Sequence, residues 1–206
     1  MKKLLYTLLA VSIIFSACKK EEEEPTNNTN NNNSGNTTNL AIGDTHQGGI
    51  IFYLDASGGG LIAAPSDQST SAEWGCDETL ISGADGTTIG TGVQNTIDIE
   101  AGCTTYGTAA DICVRQALGG YSDWFLPSKD ELNEMYLNIG QGNALGLGNV
   151  GGFANNYYWS SSEYEYEDDD GDDRAYAWGQ FFEDGVTYSG GKEYVNFFAV
   201  RAVRRF

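Results

Sequence analysis

Apolar positions recur along this chain at three different spacings, and each spacing predicts a different element. Ile50-Ile51-Phe52-Tyr53-Leu54 is a short β-rich apolar run, Gly58-Gly59-Gly60 supplies a turn, and Leu61-Ile62-Ala63-Ala64 returns, so Gly49 to Asp67 reads as a hairpin. Around Thr108 to Leu118 the period changes. Ala110, Cys113, Val114, Ala117 and Leu118 fall on one helical face, and Gly119-Gly120 ends it. After Pro127, Ser128 and Glu131 form an S-x-x-E capping box; Leu132, Met135, Tyr136 and Ile139 then share a face, and Gly140 stops the helix. A shorter helix is expected near Thr96 to Ala101. Strands are expected at Tyr157 to Ser161, at Ala175 to Phe182 with a turn at Glu183-Asp184-Gly185, and from Val195 to Phe206. Gly75 to Gly92 and Gly140 to Gly152 are glycine-rich without a period. Strands do not alternate with helices, so a doubly wound parallel sheet is not expected. Hairpins with segregated helices give an α+β class with two main helices and small antiparallel sheets.

The first residues carry a different pattern. Met1-Lys2-Lys3 precedes an apolar run from Leu4 to Ala17 that is too short to span a bilayer and has the proportions of a secretory signal. Phe15-Ser16-Ala17-Cys18 resembles a bacterial lipobox, which marks residues 1–17 for removal and Cys18 for lipidation. Lys19-Lys20-Glu21-Glu22-Glu23-Glu24 resembles the tether of Bacteroidetes-type surface lipoproteins. Pro25 to Asn39 is almost all Asn, Thr, Ser and Gly; it lacks the apolar surface to offset its ordering entropy and reads as a flexible spacer. The expected organisation is a signal over 1–17, a tether over 18–39 and one domain over 40–206. The expected location is the outer membrane, with the domain on the cell surface and the lipid on Cys18 as the membrane contact.

Charge narrows the partners. From Leu40 onward 25 Asp and Glu stand against 7 Lys and Arg. A field of that sign repels nucleic acid and anionic headgroups. The chain has one histidine, His46, so a His-rich metal site is excluded and hydrolase triads lose their usual base. With Cys18 assigned to lipid, Cys76, Cys103 and Cys113 remain in a disulfide-permissive compartment. Cys103–Cys113 is the favoured bridge, stapling two consecutive helices, while Cys76–Cys103 and Cys76–Cys113 stay open.

Two constellations could carry chemistry. The acidic run from Glu163 to Asp173 crowds carboxylates that a hard cation would relieve; a Ca²⁺ site here would draw on Glu163, Glu165, Glu167, Asp168, Asp170 and Asp172. It does not match the EF-hand pattern, since Tyr166 and Ala177 occupy the first and last ligand positions, and a solvated loop between strands is the plainer reading. The aromatic residues crowd the same region. Trp159 and Trp178 are expected in the core, whereas Tyr164 and Tyr166 share a face if extended and, with Tyr176, are the candidate ligand-binding residues, suited to sugar rings or a protein partner. Arg201, Arg204 and Arg205 are expected to pair with nearby carboxylates. No G-x-S-x-G elbow accompanies Ser160-Ser161-Ser162, and no two carboxylates stand out as an acid/base pair.

Several segments together resemble the Legionella collagen-like adhesin C-terminal domain family. They are Gly48-Gly49-Ile50-Ile51-Phe52-Tyr53, Leu61-Ile62-Ala63-Ala64, Glu73-Trp74-Gly75-Cys76, the run from Gly120 through Trp124-Phe125-Leu126-Pro127 to Leu132, Tyr158-Trp159-Ser160-Ser161-Ser162-Glu163, and Val200-Arg201-Ala202-Val203-Arg204. The resemblance spans nearly all of residues 43–206. It implies a C-type lectin-like fold with first and last strands close together, a ligand-facing segment between Trp159 and Trp178, and adhesin-like behaviour without a catalytic motif. Some members bind sulfated glycosaminoglycans through a basic trimeric surface; this acidic chain departs from that pattern. The expected function is a non-enzymatic surface module that binds glycan or protein. The alternatives are a carbohydrate- or protein-modifying enzyme using the loop carboxylates, or a structural envelope component.

Overall fold

The structure is a computed structural model and describes residues 39–167, 173–193 and 198–206. Its elements in chain order are β1 (Thr45–His46), β2 (Gly49–Leu54), β3 (Gly60–Ala63), α1 (Gly92–Gly102), α2 (Ala109–Val114), α3 (Lys129–Ile139), β4 (Tyr157–Glu167), β5 (Asp173–Phe181), β6 (Thr187–Gly191), β7 (Phe198–Ala199) and β8 (Val203–Arg205). They form an α+β unit with two four-stranded sheets, ordered β1-β2-β3-β8 and β6-β5-β4-β7. The first sheet is antiparallel throughout, and in the second only β7 runs parallel to its neighbour, β4.

The expected hairpin forms β2 and β3. Its turn is organised by Asp55, whose carboxylate accepts from the Ser57 hydroxyl and amide and the Gly59 amide. Those bonds, that of the Ser57 hydroxyl first, hold the Asp55 carboxyl below the usual range. Residue 60 onward pairs with the chain's last strand, Leu61 opposite Arg205 and Ala63 opposite Val203. One strand is expected from Val195 to Phe206; its first three residues lie outside the described residues, and residues 198–206 are divided. Phe198–Ala199 pairs with β4 in one sheet and Val203–Arg205 with β3 in the other, and Val200 to Ala202 cross between them. That crossing is pinned by Arg201, which is buried, pairs with Asp67 and donates to the carbonyls of Ala64 and Gly151.

α3 follows its sequence signature. The Ser128 hydroxyl accepts from the Glu131 amide and the Glu131 carboxylate accepts from the Ser128 amide. Leu132, Met135 and Ile139 are buried. Glu131 is also fully buried and takes a second amide from Gly90; its burial pushes the carboxyl above the usual carboxylate range against the pull of those amides. α2 stops at Val114, short of the expected Leu118, because Leu118 and Tyr121 bridge to each other in a tight turn. That turn abuts the β1–β2 connection so closely that a Cβ on Gly48 would lie 2.5 Å from the Gly119 backbone, which only glycine at both positions permits. α1 is longer than expected, since its inner face is partly polar. Thr96 exchanges hydrogen bonds with the Leu126 backbone, and Asn95 donates to Gly86 and Ser161, while Val93 and Ile97 face out.

Cys76 bridges Cys103, and Cys113 is a free, buried thiol. This corrects the favoured Cys103–Cys113 pairing. Cys103 ends α1 facing the 73–76 segment, which the Ala109 amide ties down through the Glu73 carbonyl and which packs so closely that a Cβ on Gly75 would lie 3.2 Å from the Cys103 sulfur. Cys113 points instead into the core beside Ala109 and Ala110, and burial pushes its thiol far up.

Candidate functional site

The second sheet places the chemistry. β4 and β5 pair from Tyr157–Phe181 to Glu167–Asp173, but between Trp159 and Glu163 the register slips, so that Ser160, Ser161 and Ser162 lie opposite Trp178 alone. These serines are buried tie points. The Ser160 hydroxyl donates to the Trp178 carbonyl, and the Ser160 carbonyl accepts from the Trp74 indole. The Ser161 amide donates to the Pro127 carbonyl; the Ser162 hydroxyl donates to the Gly86 carbonyl and accepts from the Lys129 amide. The bulge thus fastens the start of α3 and the 84–91 loop to the sheet.

Along β5, Ala175, Ala177 and Gly179 alternate with Tyr176, Trp178 and Gln180. The small residues face the core. The large ones share the other face, where Tyr164 stands directly opposite Tyr176 and its ring lies 4.9 Å from Trp178. Lys129, at the first position of α3, places its ammonium 3.5 Å above the Trp178 ring. Tyr164, Tyr176 and Trp178 are all half-buried. Two of the three expected ligand residues, Tyr164 and Tyr176, therefore come together; Tyr166 stands opposite Arg174 in the register of β4 and β5. Trp159 is in the core as expected, stacked on Phe198. Trp178 is not: it belongs to the half-exposed aromatic face. The small–large alternation along β5 was the signal for this, and it was legible.

The opposite face of the same strands holds a cleft of about 290 Å³ lined by Leu80, Ile81, Ser82, Gly83, Asp85, Glu163 and Glu165. Glu163, expected as a cation ligand, is engaged by protein groups here. Its carboxylate is buried, both oxygens accept from the Ile81 amide at 3.0 and 2.8 Å, and it is ion-paired with Lys192. Lys192 is itself fully buried, donates to the Thr79 carbonyl and lies 4.5 Å above the Trp74 ring. Burial holds its ammonium below the usual lysine range, against the Glu163 carboxylate that pulls the other way. Both oxygens of this carboxylate are thus engaged within the protein. Glu165 is exposed at the cleft edge; Glu167 has a place in the register of β4; Asp168, Asp170 and Asp172 lie outside the described residues. The acidic run begins as strand rather than loop, since β4 extends to Glu167. Among the described residues, no group of three or more His, Cys, Asp or Glu is arranged to hold a metal ion.

Of the three terminal arginines, Arg201 pairs with Asp67 and Arg204 with Asp123, as expected. Arg204 also covers the Tyr121 ring at 3.7 Å. These pairs are structural and present no basic patch. Cys18 lies outside the described residues, and no helix among those described is long and apolar enough to cross a membrane.

The family model described as the Lcl C-terminal domain matches residues 64–204. The match begins after β3 and covers the whole second sheet, the three helices α1 to α3 and the disulfide, and the chain belongs to that family. No curated protein matches it.

Proposed function

We propose that this member of the Lcl C-terminal domain family is a non-enzymatic, adhesin-like binding module, and that Tyr164, Tyr176 and Trp178 form its ligand-contacting face. The observation that carries the reading is the cross-strand Tyr164–Tyr176 pair beside Trp178, three partly exposed rings on adjacent rigid strands. Rings held this way lose little entropy on binding and offer flat apolar faces with polar edges. A glycan suits such a face first, because sugar rings stack on aromatics. The commitment of Glu163 to Lys192 supports the non-enzymatic reading, since it removes the most buried carboxylate of the cleft from acid/base work.

The lipobox-like segment ending at Cys18, the acidic tether and the polar spacer support a lipoprotein anchored in the outer membrane with this domain facing outward. Ca²⁺ held by the carboxylates beyond Glu165 belongs to the same proposal.

The test is binding of the full chain to glycan arrays and to surface-protein extracts, in Ca²⁺ and in EDTA, against a Tyr164→Ala/Tyr176→Ala variant of unchanged fold. At least tenfold weaker binding to a glycan is expected. Loss confined to protein ligands would move the ligand class to protein. Unchanged binding would remove the face from the function.

A further inference from the structure

The Glu163–Lys192 pair lies on the core side of the second sheet, on the opposite side of the strands from the aromatic face. Glu163 is on β4, opposite Ala177 of β5, and Ala177 is opposite Gly190 of β6. Lys192 follows β6 directly. Its side chain therefore reaches past the one intervening strand, β5, whose Ala177 is buried, to the carboxylate on β4. Both ends are fixed. The Lys192 carbonyl accepts from the Trp74 amide, its ammonium lies over the Trp74 ring, and the ring itself is held by the Ser160 carbonyl. The Glu163 amide donates to the Ala84 carbonyl, and the Ile81 amide covers both carboxylate oxygens.

We propose that Glu163 and Lys192 become joined by an amide bond formed within the folded chain. The two reacting groups are in direct contact, sheltered from water and held in place by the Thr79 carbonyl and the Ile81 amide, the conditions under which proximity replaces a catalyst. The chemistry balances without any co-reactant. A proton passes from the Lys192 ammonium to a Glu163 carboxylate oxygen, giving a neutral amine and a neutral acid. The amine nitrogen attacks the carboxyl carbon. The oxyanion that develops faces the Ile81 amide, already aimed at both oxygens. The carbon–hydroxyl bond then breaks, and a second proton from nitrogen leaves with it as water. An ammonium and a carboxylate become one amide and one water; nothing is oxidised or reduced.

The bond has a clear structural consequence. β6 is an edge strand of its sheet, and edge strands open first and invite foreign pairing. An amide from Lys192 to Glu163 staples that edge to β4, two strands inward. It acts next to the Cys76–Cys103 bridge, so the loop between Cys76 and Ile81 is held covalently at one end and through Glu163 at the other. For a module tethered on a cell surface, the result is a domain that resists unfolding under pull even when its disulfide is reduced.

The experiment is protease digestion of the full-length chain under reducing conditions followed by peptide mass mapping, which is independent of processing at the N-terminus. The expected result is a joined pair of peptides, one containing Glu163 and the other Lys192, lighter by one water than their sum, together with loss of the linear forms. Lys192→Met keeps the length of the buried stem and removes the nucleophile, so both segments should return as linear peptides. Recovery of Glu163 and Lys192 from the unmodified chain only in linear peptides would overturn the proposal, whatever the variant does.

Discussion

Removing the Cys76–Cys103 bridge, by reduction or by Cys76→Ser/Cys103→Ser, should destabilise the domain by an amount set by the loop it closes. The two cysteines are separated by 27 positions. Closing a loop of that length restricts the unfolded chain by about 3.5 kcal/mol on the chain-entropy model. For a domain of this size that corresponds to a fall in melting temperature of roughly 7–14 °C. The rejected pairing, Cys103–Cys113, would close a much shorter loop and give about 2.7 kcal/mol on the same model, a difference too small for stability alone to separate the two. The assay therefore has two arms. Urea unfolding of the oxidised, reduced and doubly substituted protein measures the stability change, with equal slopes required for the comparison. Peptide mapping of the unreduced protein identifies the partners. Native protein should also resist alkylation at Cys113, whose thiol is fully buried and shifted far up. Coincident unfolding midpoints with and without the bridge would refute the energetic reasoning, and a peptide joining Cys113 to either other cysteine would refute the packing argument on which it rests.

Four further outcomes follow from particular contacts. Ser128→Ala removes the hydroxyl that caps α3 and donates to the Thr88 carbonyl, and should cost about 1–2 kcal/mol by urea unfolding. Arg201→Met leaves Asp67 and the carbonyls of Ala64 and Gly151 without their buried partner and should cost about 3 kcal/mol in the same assay. The Glu131 carboxyl, raised above its ordinary 4.5 by burial, binds its proton more tightly folded than unfolded, so its contribution is fully present below pH 4.5 and is lost as pH rises through the folded value. Compared with Glu131→Gln, the parent protein should therefore gain relative stability as pH falls from 7 towards 4.5; parallel pH profiles of the two would contradict this. Tyr164→Ala/Tyr176→Ala should weaken ligand binding tenfold or more, about 1.4 kcal/mol, in a titration against the array-identified ligand.

Much of the local architecture was legible because it depends on near neighbours in sequence. The Gly58–Gly60 turn between two β-rich runs, the Ser128–Glu131 box and the apolar stripe of α3 each satisfy their own hydrogen-bonding groups within a few residues. α1 was read as too short because part of its inner face is Asn95 and Thr96, polar residues that are acceptable only where Gly86, Ser161 and Leu126 meet them. At the candidate site, Tyr164 and Tyr176 stand opposite one another across β4 and β5. Trp178 was assigned inward although the small residues on either side of it, Ala177 and Gly179, mark the core-facing side of β5.

The sequence by itself determined the α+β class, the hairpin, the capped helix, the acidic balance and the aromatic crowding, since periodicity, capping chemistry and charge are properties of short windows or of composition. Tertiary structure alone decided which two of three cysteines meet, that Glu163 faces a lysine 29 positions later rather than solvent, and that residues 198–206 divide between two sheets. Those outcomes depend on which surfaces come to face each other when the core closes, and a carboxylate in a charge run carries no mark of the one neighbour that will bury it.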